Sequence, residues 1–151
     1  VEVFVPPHHA GTVNKRLVAH ETVGAQHMEV VLGIVTGPAG QGGSLPHQHA
    51  ACEQANYILQ GRARVEGGGQ VHEVGPGDVC FFPKGVDHAV TRIGEEALRG
   101  LVIYSPPPPA WPSPPPSSIG TPPPGRPRRR QARRRSRRAS MRSPTWRSMT
   151  R

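Results

Sequence analysis

His47 and His49 stand two residues apart in Pro46-His47-Gln48-His49-Ala50-Ala51-Cys52-Glu53-Gln54, and His88 closes a later segment, Pro83-Lys84-Gly85-Val86-Asp87-His88. Residues two apart on a β-strand project to the same side. A short strand over 45–49 would therefore aim both imidazoles at one cation, with His88 as the third ligand. Three histidines and an oxygen donor suit zinc, manganese, iron, nickel or copper. Glu53 and Gln54 are the candidate oxygen donors, and adjacent strand residues face opposite sides, so only one of them can point inward. Cys52 lies beside these residues, but without a second thiol it reads as packing rather than as a ligand or nucleophile. His8, His9, His20, His27 and His72 fall outside both segments and read as surface or rim residues.

The elements that must position these groups read as strands. Short runs rich in Val, Ile and Leu, bounded by Gly and Pro, cover 28–35, 45–49, 54–60, 62–66, 70–74, 79–82, 88–93 and 98–104. Gly67-Gly68-Gly69 predicts a hairpin, and Gly75-Pro76-Gly77 and Pro83-Lys84-Gly85 predict turns. No segment has the periodicity of an amphipathic helix. Closely spaced short strands predict an all-β antiparallel sandwich or barrel. On the strand after the first histidine pair, Asn56 and Ile58 share the face of Gln54 and should line a cavity, while Tyr57 and Leu59 take the other face. Arg92 shares the side of His88 and should lie near a rim, where its guanidinium could pair with an anionic substrate. Cys80, inside Val79-Cys80-Phe81-Phe82, reads as a small buried hydrophobe.

Composition divides the chain. Residues 1–105 hold all ten acidic side chains and seven Lys and Arg, whereas 106–151 hold twelve arginines and no acid or lysine. Thirteen of the nineteen prolines also lie after residue 105. Two cysteines do not make a disulfide scaffold. No apolar run approaches the roughly 20 residues that cross a bilayer, and the first residues lack the pattern of a signal peptide. A cytoplasmic protein without membrane contact is the expectation.

The two histidine segments resemble the cupin family. In its first motif a glycine precedes His-x-His, and a Glu and a second glycine follow. Here His47 and His49 are followed by Gln54 after four residues and by Gly61 after six more, while Gln41 stands where the first glycine would be. The second motif reads Gly77, Pro83, Gly85 and His88, with Arg92 in place of the usual Asn. The resemblance covers roughly 28–104. It implies a single-domain jelly-roll β-barrel of six to eight strands, holding one divalent metal ion (Mn, Fe, Zn, Ni or Cu) on His47, His49 and His88. The fourth ligand by this spacing is Gln54, with Glu53 as the alternative. A neutral Gln leaves the ion more Lewis-acidic than a Glu would. The implied activity is that of a metal-dependent enzyme of dioxygenase, isomerase or decarboxylase type on a small, anionic or oxygen-rich molecule. The alternative is a non-catalytic module that binds a small ligand. A homodimer is expected, because small β-folds leave edges and apolar faces to be covered.

The domain reading is an N-terminal arm with short strands over 1–27, the cupin-like barrel over 28–105, and a disordered Pro/Arg-rich tail over 106–151. Such a tail lacks the apolar residues that would offset ordering. It could bind nucleic acid or acidic partners electrostatically, or do nothing specific. A frameshift or spurious extension is the favoured reading, since its abundant residues are all encoded by GC-rich codons. Translation of the gene in its other frames tests this.

Overall fold

The structure is a computed structural model that describes residues 3–109 and the backbone of 147–149. Most of the segment read as a disordered tail lies outside the described residues. Twelve strands and one helical turn follow in order: β1 (Val3–Phe4), β2 (His9–Ala10), β3 (Thr12–Val18), α1 (His20–Val23), β4 (Glu29–Val35), β5 (Gly43–Ser44), β6 (Glu53–Gln60), β7 (Ala63–Gly67), β8 (Gln70–Val74), β9 (Val79–Phe82), β10 (His88–Arg92), β11 (Leu98–Ser105) and β12 (Arg147–Met149). No described helix is long and apolar enough to cross a membrane.

The strands form two antiparallel sheets. The larger runs β1-β3-β4-β11-β6-β9-β12 and the smaller β2-β5-β10-β7-β8. The resemblance implied a barrel, but no ladder between described strands joins the two sheets, so the architecture is an open sandwich. The ladders stop where edge strands shrink to two or three residues at β1, β2 and β12. Inward side chains of both sheets pack between them: Val35, Ile58, Cys80 and Phe82 from one, Ala63, Val65 and Val74 from the other. Residues 1–27 feed β1 and β3 into the larger sheet and β2 into the smaller.

Alternation along β6 sets the inner face. Gln54, Asn56 and Ile58 are 5%, 6% and 3% exposed, whereas Tyr57 and Leu59 are 39% and 45% exposed. Two local features differ from the sequence reading. The single turn α1 was not expected, because four residues are too few to carry a helical period. Residues 147–149, expected to be disordered, pair with Phe81, Cys80 and Val79 of β9. An open strand edge presents backbone groups that any extended segment can meet.

Candidate metal centre

Backbone pairing brings together histidines from distant parts of the chain. The expected strand over 45–49 is absent: the strand there is β5 at Gly43–Ser44, and both His47 and His49 sit on the irregular segment after it. His47 instead forms an isolated antiparallel bridge with His88. The His47 N–H donates to the His88 carbonyl at 3.0 Å, and the His88 N–H returns to the His47 carbonyl at 2.8 Å. The Gly85 N–H donates to the His49 carbonyl at 2.9 Å. The two histidine segments are thus clamped main chain to main chain. Gly43 makes the close approach possible: its φ is +130°, and a Cβ there would lie 2.0 Å from the Val90 carbonyl oxygen.

The result is a cluster in which one ring nitrogen from each of His47, His49 and His88 lies within 4.8 Å of the others. His88 is 3% exposed, and Phe82 stacks on its ring at 4.2 Å between centroids. The Nδ1–H of His47 donates to the Leu45 carbonyl at 2.7 Å, and that of His88 to the Val86 carbonyl at 3.0 Å. A carbonyl only accepts, so both rings carry their proton on Nδ1 and present the Nε2 lone pair. This orienting bond is the usual companion of a metal-ligating histidine.

Gln54 faces the cluster from β6. Its amide nitrogen donates to Asn56 Oδ1 at 2.9 Å, and its Oε1 stands 3.2 Å from His88 Nε2. His88 thus has an acceptor oxygen at each ring nitrogen, and with its proton on Nδ1 toward Val86 two acceptors face each other across that 3.2 Å. A cation between them would satisfy both, so the donor set fits a metal ion. Glu53, next in sequence, is exposed and lies on the opposite face.

Burial favours the neutral form of His49 and His88. Burial is the main cause that pushes His88 down to about 4, opposed by its bond to Val86 and reinforced by the neighbouring His47 and His49. His49 is lowered for the same first reason, then by His47. Burial likewise raises the Cys52 thiol. Cys52 packs with Val31 and Tyr104, so it is an inert core residue. Burial pushes Cys80 up to about 11.

A cavity of about 70 Å³ opens beside the cluster. Asn56 and Ile58 line it, together with Gln54, His47, Tyr104, which the sequence reading left out, and His9, which it read as a surface or rim residue. The Tyr104 ring meets His49 edge-on at 5.4 Å, and that of His9 meets His47 at 5.4 Å. Tyr104 pairs with Gln54 across β11 and β6, so strand register could have revealed it. Nothing local marked His9. Among the described residues, no Asp, Glu, Lys or Arg lines this cavity.

Arg92 corrects the expectation of a rim cation. It is 8% exposed, and its guanidinium donates to the carbonyls of Glu96 at 2.9 Å and Thr36 at 3.5 Å, and to those of Gly37 and Glu95. Five donors in a fixed fork suit a cluster of carbonyls as well as a carboxylate. Here they tie loops together.

Comparisons with known proteins agree with this geometry. A family model described as Cupin domain matches residues 33–104. An uncharacterized protein of Streptomyces coelicolor is 37% identical over 62 residues, which are 41% of this chain and 55% of that protein. The match thus spans about half of that relative. Among solved structures, the polyketide cyclase RemF of Streptomyces resistomycificus is 27% identical, with a TM-score of 0.59 over 69% of this chain and 71% of its own. KdgF of Halomonas sp. is 24% identical with a TM-score of 0.56, over 64% of this chain and 80% of its own. An RmlC-like cupin of Shewanella frigidimarina is 21% identical with a TM-score of 0.56, over 70% and 84%. These last two likenesses concern the fold alone. With its paired histidine segments clamped inside a two-sheet sandwich and the family model lying across the same residues, residues 33–104 of the chain form a domain of the cupin superfamily.

Proposed function

We propose that the protein is a metal-dependent cupin enzyme that holds one divalent cation on His47, His49, His88 and Gln54 and acts on a small oxygen-bearing organic molecule. The observation that carries this reading is the pair of facing acceptors, His88 Nε2 and Gln54 Oε1, at 3.2 Å. When bound, the ion supplies Lewis-acid or redox chemistry at its open positions.

The chain's own residues then define what can enter. Three neutral imidazoles and a carboxamide leave the charge of a dication uncompensated, which favours a ligand with an anionic or strongly polar oxygen. Val35, Ile58, Leu98 and Val102 give the cavity an apolar wall, and Asn56 offers polar contact beside Gln54. A void near 150 Å³ holds a benzene ring. The 70 Å³ here suits a molecule of few heavy atoms, or the reacting end of a larger one. Similarity to the polyketide cyclase RemF supports catalysis over simple binding. Dioxygenase, isomerase and decarboxylase chemistry all remain compatible with the donor set, since a fold does not select among them.

Elemental analysis of untagged protein, joined to metal titration of variants, tests the reading. One ion per chain is expected, with affinity falling about a hundredfold or more for His47→Ala, His49→Ala or His88→Ala, because even residues that only orient ligands cost 10–100-fold. Gln54→Ala should weaken binding and Glu53→Ala should not. Full affinity in the Gln54 variant, or its loss in the Glu53 variant, would reject the assignment.

A further inference from the structure

His9 lies outside both histidine motifs, on a two-residue strand from the N-terminal arm, yet it reaches the same cavity as His47 and Gln54. Three features hold it there. Strand β2 pairs His9 with Ser44 and Ala10 with Gly43, directly ahead of the first histidine segment. The preceding residue, His8, has φ +60°, the one non-glycine residue with positive φ among those described. Its carbonyl accepts the Leu45 N–H at 2.9 Å. A left-handed conformation at a non-glycine residue is uncommon and persists only where surrounding structure enforces it. Here it turns the chain so that the next ring faces inward.

The His9 tautomer is also set. Nδ1–H donates to the Pro7 carbonyl at 2.7 Å, the same arrangement found at His47 and His88. Nε2 is therefore an acceptor. His9 is not part of the cluster whose nitrogens lie within 4.8 Å of one another. It is adjacent to the three-imidazole group, its ring 5.4 Å from that of His47, without sharing its centre.

We infer that His9 is a specificity-determining residue, accepting a hydrogen bond from a hydroxyl that neighbours the metal-binding oxygen of the ligand. The inference rests on the metal reading above and narrows its substrate class. It points to a small α-hydroxy acid or hydroxy-carbonyl compound, with one oxygen directed at the three imidazoles and its O–H directed at His9. A simple carboxylate without the hydroxyl would leave Nε2 facing the cavity with nothing to accept.

Glycolate and acetate differ by that hydroxyl and serve as probes. The full chain is loaded with Co²⁺, and each acid is titrated against the visible cobalt spectrum in the wild type, His9→Ala and His9→Gln. His9→Ala should weaken glycolate about tenfold, the loss of one such hydrogen bond, and leave acetate unchanged. His9→Gln retains an acceptor and should recover part of the glycolate affinity. The cobalt spectrum without added acid should be the same in all three proteins. Equal effects on both acids, or none on either, would overturn the assignment while leaving the metal reading intact. A changed cobalt spectrum in His9→Ala would overturn it in favour of His9 as a metal ligand. Failure of the wild type to take up cobalt would sink the metal reading and this inference with it.

Discussion

At the scale of single residues, the site depends on burial, which holds His49 and His88 below the usual imidazole range, and on the carbonyls that orient His47 and His88. His88 is pushed down to about 4 in the folded chain, chiefly by burial, whereas an unfolded histidine titrates near 6.5. Between those values the unfolded chain takes up a proton that the folded chain refuses, so unfolding becomes easier as pH falls. The contribution is complete above about pH 6.5 and exhausted near pH 4, and amounts to roughly 3 kcal/mol for one such group. His9 is also lowered to about 4, first by burial, and acts in the same direction. Denaturant unfolding of metal-free protein at steps from pH 7 to pH 4 should show this loss, with a shallower slope in His88→Gln. Equal slopes in the two proteins would disprove it.

At the scale of elements, the site is made by loops tied to one another. Arg92 joins the segment around Thr36–Gly37 to the Glu95–Glu96 turn through its guanidinium. Nearby, the Gly40 N–H donates to the Arg92 carbonyl at 2.6 Å and the Arg92 N–H to the Gly42 carbonyl at 2.9 Å. Replacing Arg92 by Met keeps much of the side-chain volume but strips several carbonyls of their partner. A loss of about 2–4 kcal/mol is expected, since each buried acceptor left unsatisfied costs about 1–3 kcal/mol. Metal affinity should be unaffected at a temperature where the variant is folded. A Met variant as stable as the wild type, or one that is stable but binds metal poorly, would contradict this role.

At the scale of the whole molecule, the larger sheet carries apolar side chains on its outer face as well as in the packed core. Its outer side carries Val13, Leu32, Tyr57, Leu59, Phe81 and Leu101, by the registers that pair Tyr57 with Leu101 and Leu101 with Leu32. Charge enters this face through Lys15, Arg99 and Glu53. A sheet that faced water would alternate apolar and polar residues instead. Five strands about 4.8 Å apart, six residues long at about 3.3 Å each, outline roughly 20 by 25 Å. That footprint, about 500 Å², is of the same order as the roughly 800 Å² that a standard interface buries on each partner. The arginine-rich segment after residue 105 has few apolar side chains and is a poor cover, so a second copy of the chain is the proposed occupant. Light scattering should give twice the chain mass, and Tyr57→Lys with Leu59→Lys should give a monomer. A monomeric wild type would remove the proposal.

The sequence by itself determined the strand content and the inward face of β6, because alternation is a local property. Gln54 and Glu53 were separable for the same reason: neighbours on a strand cannot share a side. The spacing of His47, His49 and His88 was enough to suggest a cation, since few other roles need three imidazoles. Tertiary structure alone decided that His47 and His49 lie on a loop clamped to the Gly85–His88 segment. It also decided that Arg92 turns toward carbonyls, and that His9 joins a cavity built mostly from residues more than thirty positions away. These outcomes depend on long-range backbone pairing and on which partner a side chain finds first, and neither quantity is written in any short window of residues.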